Sequence, residues 1–251
     1  MRHLRKITVD SEAFPNRNVY PFSLEIFQQT ETIELSSSVT FFIGENGTGK
    51  STLLEALARC CGLHIWENES NRRYAPNSYE KELARYLRPT WSKEATPGAF
   101  FAGRVFQDFT RILEEWAVAD PGMLEYFGGR SLMSLSHGQS LMAYFTNRFS
   151  RQGLYFLDEP ETALSPRTQL ELLRVIQQSA ARHQAQFIIA THSPILLACP
   201  GAEIWDFNHC PLQTIPYEAT DHFTLFRDFL LHREAYLEFP SASAAIGHAD
   251  T

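Results

Sequence analysis

Cysteine is scarce: Cys60, Cys61, Cys199 and Cys210 are the four in a chain of 251 residues. None forms a CxxC pair or has the spacing of a zinc site. That argues against a disulfide framework or structural zinc, and the thiols read as reduced, mostly buried residues of a cytoplasmic protein. Long apolar runs are missing too. The longest, such as Ile195–Cys199, fall far short of the roughly 18 residues a membrane span needs, so any membrane role would go through a partner protein. The basic start, Met1 to Lys6, is followed by Asp10, Glu12, Pro15 and Asn16 instead of an apolar stretch, which is not the pattern of a secretory signal. A surplus of positive charge is likewise absent. With a net charge of −7 and a pI near 5.7, the surface as a whole does not attract nucleic acid or anionic lipid. A local basic cluster, Arg72, Arg73, Lys81, Arg85, Arg88 and Lys93, is interspersed with Glu80, Glu82 and Glu94. It reads as a solvated helix face, with a nucleic-acid contact left open.

What the chain does have is 44% hydrophobic residues, enough for a sizeable core in one large domain. It also has Gly44-Glu45-Asn46-Gly47-Thr48-Gly49-Lys50-Ser51, set between the apolar run Val39–Ile43 and the helical pattern Leu53, Leu54, Leu57, Ala58 and Cys61. Strand, glycine-rich turn and helix in that order make a phosphate-binding loop. The glycines let successive N–H groups turn onto phosphates, and the helix adds its positive end. Asn46, Gly47, Thr48, Gly49 and Thr52 line the cradle, Lys50 reaches the terminal phosphates, and Ser51 can hold Mg²⁺. The expected ligand is a nucleoside triphosphate.

Further strand-like runs stand at Leu154–Leu157, Phe187–Ala190 and Glu203–Phe207, with helical patterns between several of them. The order predicts an α/β fold: a nucleotide-binding core with a mostly parallel sheet covered by helices. One helix start is well marked, with Ser165 as cap, Pro166 in the first turn, and Leu170, Leu173, Ile176 and Ala180 on one side. Alternation around Tyr20–Phe27 and Thr32–Leu35 suggests an N-terminal antiparallel sheet. Helical patterns near Ser78–Leu87, Phe106–Ala119 and Gln139–Phe149 suggest a helical lobe, about 71–149, inserted into a core of about 1–70 and 150–240. Phe223, Phe226, Phe229 and Leu230 suggest an amphipathic helix, and residues 240–251 a frayed tail.

The apolar strand Leu154-Tyr155-Phe156-Leu157 ends in Asp158-Glu159-Pro160. Behind a phosphate loop, Asp158 is suited to the Mg²⁺ shell and Glu159 to orienting or deprotonating a water. Leu135-Ser136-His137-Gly138-Gln139 just before it resembles the LSGGQ signature of the ATP-binding cassette (ABC) ATPases. Val105-Phe106-Gln107-Asp108-Phe109 is similar to that family's Q-loop, and Thr191-His192-Ser193 to its switch histidine segment. The resemblance covers roughly Tyr20 to Tyr236. Within the family, Asp158-Glu159-Pro160-Glu161, Ala163-Leu164-Ser165-Pro166 and Thr191-His192-Ser193-Pro194 are similar to the soluble bacterial ATPases of the DNA-repair and SMC-like branch. Three features depart from the pattern. Gln107 lies 57 residues after Lys50, further than in compact transporter subunits, and a polar helix-start residue fits the same position. His137 replaces the first glycine of the signature, and Ser165 stands where transporter-type members carry an aspartate.

The resemblance implies an ATPase that closes as a homodimer around ATP and Mg²⁺. Lys50, Ser51, Asp158 and Gln107 of one subunit would meet Ser136, Gly138 and Gln139 of the other, and Glu159 and His192 would act at the γ-phosphate. Tyr20 stands where the family places an aromatic ring against adenine, although a core or sheet-edge aromatic fits the same position. The branch implies a separate effector in genome maintenance or phage defence. The alternatives are the ATP-binding subunit of a membrane transporter and a slowly hydrolysing regulatory protein.

Overall fold

The computed structural model describes residues 2–65, 77, 79–120, 122, 124–125, 129, 131–182 and 185–237, with the Gln107 side chain outside the description. Arg72 and Arg73 of the basic cluster and the expected tail lie outside the described residues. In β1 (Leu4–Val9), Leu4, Ile7 and Val9 are buried. The strand pairs antiparallel with β2 (Thr32–Glu34), with Lys6 opposite Glu34. The segment expected to alternate as a strand around Tyr20–Phe27 instead turns into α1 (Glu25–Gln29). Its buried residues, Phe22, Ile26 and Phe27, recur at helical and not at strand spacing, which is the reason.

The central strand β3 (Val39–Ile43) is buried throughout and leads into α2 (Lys50–Cys60). The stretch expected as a helical lobe then supplies two strands. Around Ser78–Leu87 the chain makes only a 3₁₀ turn, Glu82–Tyr86, before β4 (Leu87–Trp91), which completes a three-stranded antiparallel sheet in the order β2-β1-β4. Pro89 supplies no N–H for a helix, and β4 lies at the sheet edge, where proline is tolerated. Next comes β5 (Gly98–Ala102), then α3 (Phe106–Ala119) and α4 (His137–Arg148), close to the helices expected there.

The remaining chain alternates strand and helix: β6 (Gly153–Asp158), α5 (Pro166–Arg182), β7 (Ala185–Ala190), α6 (Pro194–Leu197) and β8 (Glu203–Asp206). The short β9 (Gln213–Thr214) and α7 (Asp221–Leu231) follow. The second sheet runs β5-β6-β7-β3-β8-β9, parallel except for the last pair. Both faces of its centre are buried. Phe42, Leu154, Phe156, Ile188 and Trp205 face a core shared with α2 and the antiparallel sheet, while Phe41, Tyr155, Leu157, Phe187 and Ile189 face a core with α4 and α5. Strand residues point alternately to the two sides, so a strand covered on both is apolar at most positions.

Gln186 in β7 is fully buried and ties the two sheets together. Its Oε1 accepts from the backbone N–H groups of His3 at 2.7 Å and Leu4 at 2.8 Å, and its Nε2 donates to the Leu4 carbonyl at 2.9 Å. On α5 the buried side is Leu172, Leu173, Ile176 and Ser179, whereas Leu170, expected on that face, is exposed. Of the thiols expected to be mostly buried, only Cys199 is; Cys60 and Cys61 are half-buried and Cys210 is exposed. α7 is helical as expected, but Leu225, Phe226, Leu230 and Leu231 face outward.

Candidate functional site

The loop from Gly44 to Gly49 leaves the carboxyl end of β3 and delivers the chain into α2. Gly49 caps that helix with φ at 104°, and a Cβ there would stand 3.0 Å from Phe27 Cζ and 3.1 Å from Leu24 Cδ1. Only glycine meets both demands at low cost. The first-turn N–H groups of α2 lack intrahelical acceptors and form a positive pole. The Glu45 N–H donates to Asn208 Oδ1 at 2.8 Å, and Thr48 Oγ1 donates to the Glu45 carbonyl at 2.9 Å, which holds the loop open. Asn46 and Gly47 are exposed at its tip. Lys50 is buried, with Nζ donating to the carbonyls of Gly44 at 2.7 Å and Glu45 at 2.8 Å. Burial lowers its pKa, opposed by the carboxylates of Glu159, Asp158 and Glu45.

Asp158 ends β6 in register with Ala102 of β5 and Ala190 of β7. Its Oδ1 accepts from Ser51 Oγ at 2.7 Å, so the first helical turn after the loop and the strand-end carboxylate meet directly. Burial raises its pKa, and the Ser51 hydrogen bond and Arg104 oppose that shift. Arg104 was not singled out from the sequence. It donates to Asp158 Oδ2 at 3.3 Å and pairs with Glu55 of α2. Burial works against its charge, but Glu55 and Asp158 leave its pKa above the ordinary value. Gln107 stands in the first turn of α3; its side chain lies outside the described residues. The side chain described beside Asp158 is thus that of Arg104, three residues before Gln107. Next to it opens a cavity of about 350 Å³ lined by Tyr20, Ser51, Thr52, Glu55, Arg59 and Arg104. The Tyr20 ring is 43% exposed, and its hydroxyl lies 2.7 Å from Thr52 Oγ1, so it is a rim residue and not a core aromatic.

Glu159 takes φ at 48°, a left-handed conformation that a side chain disfavours, while its N–H is fixed to the Ala190 carbonyl at 2.9 Å. Its carboxylate Oε1 lies 4.0 Å from His192 Nε2. His192 follows β7, and its N–H donates to Glu161 Oε1 at 2.8 Å. Glu161, quoted in the sequence motif without a role, is thus the anchor of the histidine segment, and burial raises its pKa. His192 is held below the ordinary imidazole value by burial and then by Lys50. Its Nε2 is shielded and has no hydrogen-bond partner among the described residues.

Ser136, Gly138 and Gln139 open α4. Ser136 Oγ accepts from the Gln139 N–H at 3.4 Å and Gln139 Oε1 from the Ser136 N–H at 3.0 Å, a reciprocal capping box. None of the described hydrogen bonds joins them to the phosphate loop. A Cβ on Gly138 would meet only Leu164 Cδ2, at 3.7 Å, so nothing described in this chain forces glycine there. Ser165 caps α5, its Oγ accepting from the Thr168 N–H at 3.2 Å.

Two family models match, "AAA domain" over residues 18–90 and "AAA domain, putative AbiEii toxin, Type IV TA system" over residues 128–198. Among curated proteins, the petrobactin import ATP-binding protein FpuD of Bacillus anthracis is 27% identical, over 66% of this chain and 65% of its own length. The probable siderophore transport system ATP-binding protein YusV of Bacillus subtilis is 27% identical, over 64% and 63%. These matches support an ABC-type ATPase. A solved ATP-binding cassette of an ABC transporter, MJ1267 in its ADP conformation, is similar with a TM-score of 0.47 and 14% identity, over 82% of this chain and 87% of that one. The matches take in less than two thirds of the length of the two curated relatives.

The donors at the loop suit a magnesium nucleotide. Ser51 Oγ and Asp158 Oδ1 are hard oxygen donors in contact, and among the described residues no cluster of three His, Cys, Asp or Glu side chains could hold a metal alone. Such a site would be completed by phosphate oxygens and water, as Mg²⁺ prefers.

Proposed function

We propose that this chain binds ATP with Mg²⁺ at the phosphate loop, closes as a homodimer around the nucleotide and reopens on hydrolysis. The observation that supports the reading most is the convergence of Lys50, Ser51, Asp158, Glu159 and His192 at the carboxyl end of the parallel sheet, where ligands of open α/β folds bind. Mg²⁺, held by Ser51 and Asp158, would neutralise phosphate charge. Lys50 exchanges the Gly44 and Glu45 carbonyls for terminal phosphate oxygens. Its desolvation makes that exchange favourable, because a buried ammonium gains most from a full anionic partner. Glu159 orients the attacking water and takes up its proton, and His192 Nε2 donates to the γ-phosphate. Tyr20 stacks on adenine at the rim of the cavity. Ser136 and Gly138 of the partner subunit close the site from the far side; the room around Gly138 supports this, since no contact described within the chain demands a glycine.

The switch drives a separate protein. The exposed apolar residues of α7 support a protein partner; an effector in genome maintenance or phage defence rests on the motif resemblance and on the toxin–antitoxin wording of one matched model, and the curated relatives give it no support. The second reading is a transporter ATP-binding subunit, favoured by the import and siderophore transport roles named for the curated relatives. ATPase activity stimulated by DNA with no membrane partner present supports the first and counts against the second. The dimer itself is tested by light scattering of Glu159→Gln protein with and without Mg-ATP. A monomer that doubles its mass only with Mg-ATP is expected; an unchanged mass, with ATP bound, refutes closure of the chain on its own copy.

A further inference from the structure

His192 does not stand alone at the γ-phosphate position. His222, in the first turn of α7, places its Nε2 3.4 Å from His192 Nδ1, with the ring centroids 5.6 Å apart. Both segments are held from outside the pair. His192 is held by the bond from its N–H to Glu161, and α7 is pinned where Thr220 Oγ1 accepts from the Phe223 N–H at 3.1 Å and Tyr217 Oη donates to the Pro194 carbonyl at 3.0 Å. The two outer nitrogens, His192 Nε2 and His222 Nδ1, are shielded and have no hydrogen-bond partner among the described residues. His192 is held neutral by burial and by Lys50, and His222 by burial and by His192, so each ring carries one N–H at neutral pH.

That proton count leaves two arrangements. If His192 donated from Nδ1, its bare Nε2 lone pair would face the Glu159 carboxylate 4.0 Å away, a repulsive contact. If His222 donates from Nε2, His192 accepts at Nδ1 and presents Nε2–H toward Glu159 and the phosphate position. We propose that His222 is a positioning residue that fixes His192 as the Nε2–H tautomer, ready to donate to the γ-phosphate. The inference rests on the ATPase reading for its purpose but not for its geometry. The ring-to-ring bond also links the hydrolysis site to α7, the helix that carries the exposed apolar residues.

The test compares His222→Phe, which keeps an aromatic ring but loses the donor, with His222→Gln, whose amide can still donate near the Nε2 position. Nitrogen-15 NMR of histidine-labelled, nucleotide-free protein reads the His192 tautomer directly, the His192 signal being identified by its loss in His192→Gln. The wild type and His222→Gln are expected in the Nε2–H form and His222→Phe in a mixture. In turnover, loss of the orienting partner lowers kcat about 10-fold to 100-fold in His222→Phe, as for other histidine-orienting groups, with ATP affinity unchanged and most of the rate restored in His222→Gln. A wild-type His192 in the Nδ1–H form overturns the proposal. So does an unchanged tautomer and rate in His222→Phe, or an equal loss in both variants. Absence of any ATPase activity in the wild type would refute the hydrolysis reading, while the NMR measurement would still decide the histidine pair.

Discussion

Replacing Glu161 tests whether the histidine segment is positioned as described. The carboxylate accepts from the His192 N–H at 2.8 Å through Oε1, and its Oε2 is buried with no geometric hydrogen-bond partner among the described residues. In Glu161→Ala, the His192 N–H loses a hydrogen bond to a charged group, about 1.5–3 kcal/mol, and a cavity forms where the side chain was. Set against this is the relief of burying a carboxylate, whose raised pKa shows that its charge is disfavoured in place. The net expectation is a loss of about 2 kcal/mol, which for a chain of this size lowers Tm by roughly 4–8 °C. Glu161→Gln keeps an acceptor for the His192 N–H and removes the buried charge, so its stability stays within about 1 kcal/mol of wild type. Catalysis separates from stability: freeing the backbone of His192 lowers kcat about 10-fold or more in the alanine variant, while ATP affinity, set by Lys50 and the loop, changes little. Thermal melts, ATP titration and turnover on the three proteins measure this. An alanine variant with wild-type Tm and kcat would refute the anchoring role.

Lys50→Ala removes the ammonium and leaves the Gly44 and Glu45 carbonyls without their partner; ATP binding by calorimetry is expected to weaken at least about 100-fold. Gly49→Ala forces a methyl group against Phe27 and Leu24 at φ 104°, and its Tm is expected to fall by about 5 °C or more. The pH dependence follows from the two lowered histidines. Around His192 lie Lys50, Glu159 and Glu45, and around His222 lie His192, Asp221, Lys50 and Asp206. With folded values below the ordinary 6.5, the unfolded chain binds more protons in that range, so the pair's contribution to stability falls as pH drops through 6.5 toward the folded values. The Tm of His222→Gln should decline less than that of wild type between about pH 7.5 and 5.5; parallel curves would show that the pair does not titrate as described.

The sequence by itself determined the centre of the molecule. The strand, loop and helix from Val39 to Cys60, the strand ending in Asp158-Glu159, the strand before His192 and the capped start of α5 are all set by local chemistry: continuous apolar runs, glycines in a tight turn, a serine and a proline at a helix start. The signature-like segment was legible for the same reason, although its capping box shows that Ser136 and Gln139 also start α4. What the tertiary structure decided lies where long-range pairing overrides local pattern. β1 becomes a strand by pairing with β2 and β4, β4 by pairing with β1, and β5 because Leu154–Asp158 offers an edge; none of these partners is close in sequence. The same holds at the site. Arg104 reaches Asp158, Glu161 holds the backbone of His192, and His222 meets His192 from a helix near the end of the chain. Each of these side chains is an ordinary polar residue in its own segment. Its role arises when packing brings distant segments to the carboxyl end of one sheet, where buried charge and unpaired ring nitrogens must find partners across the fold.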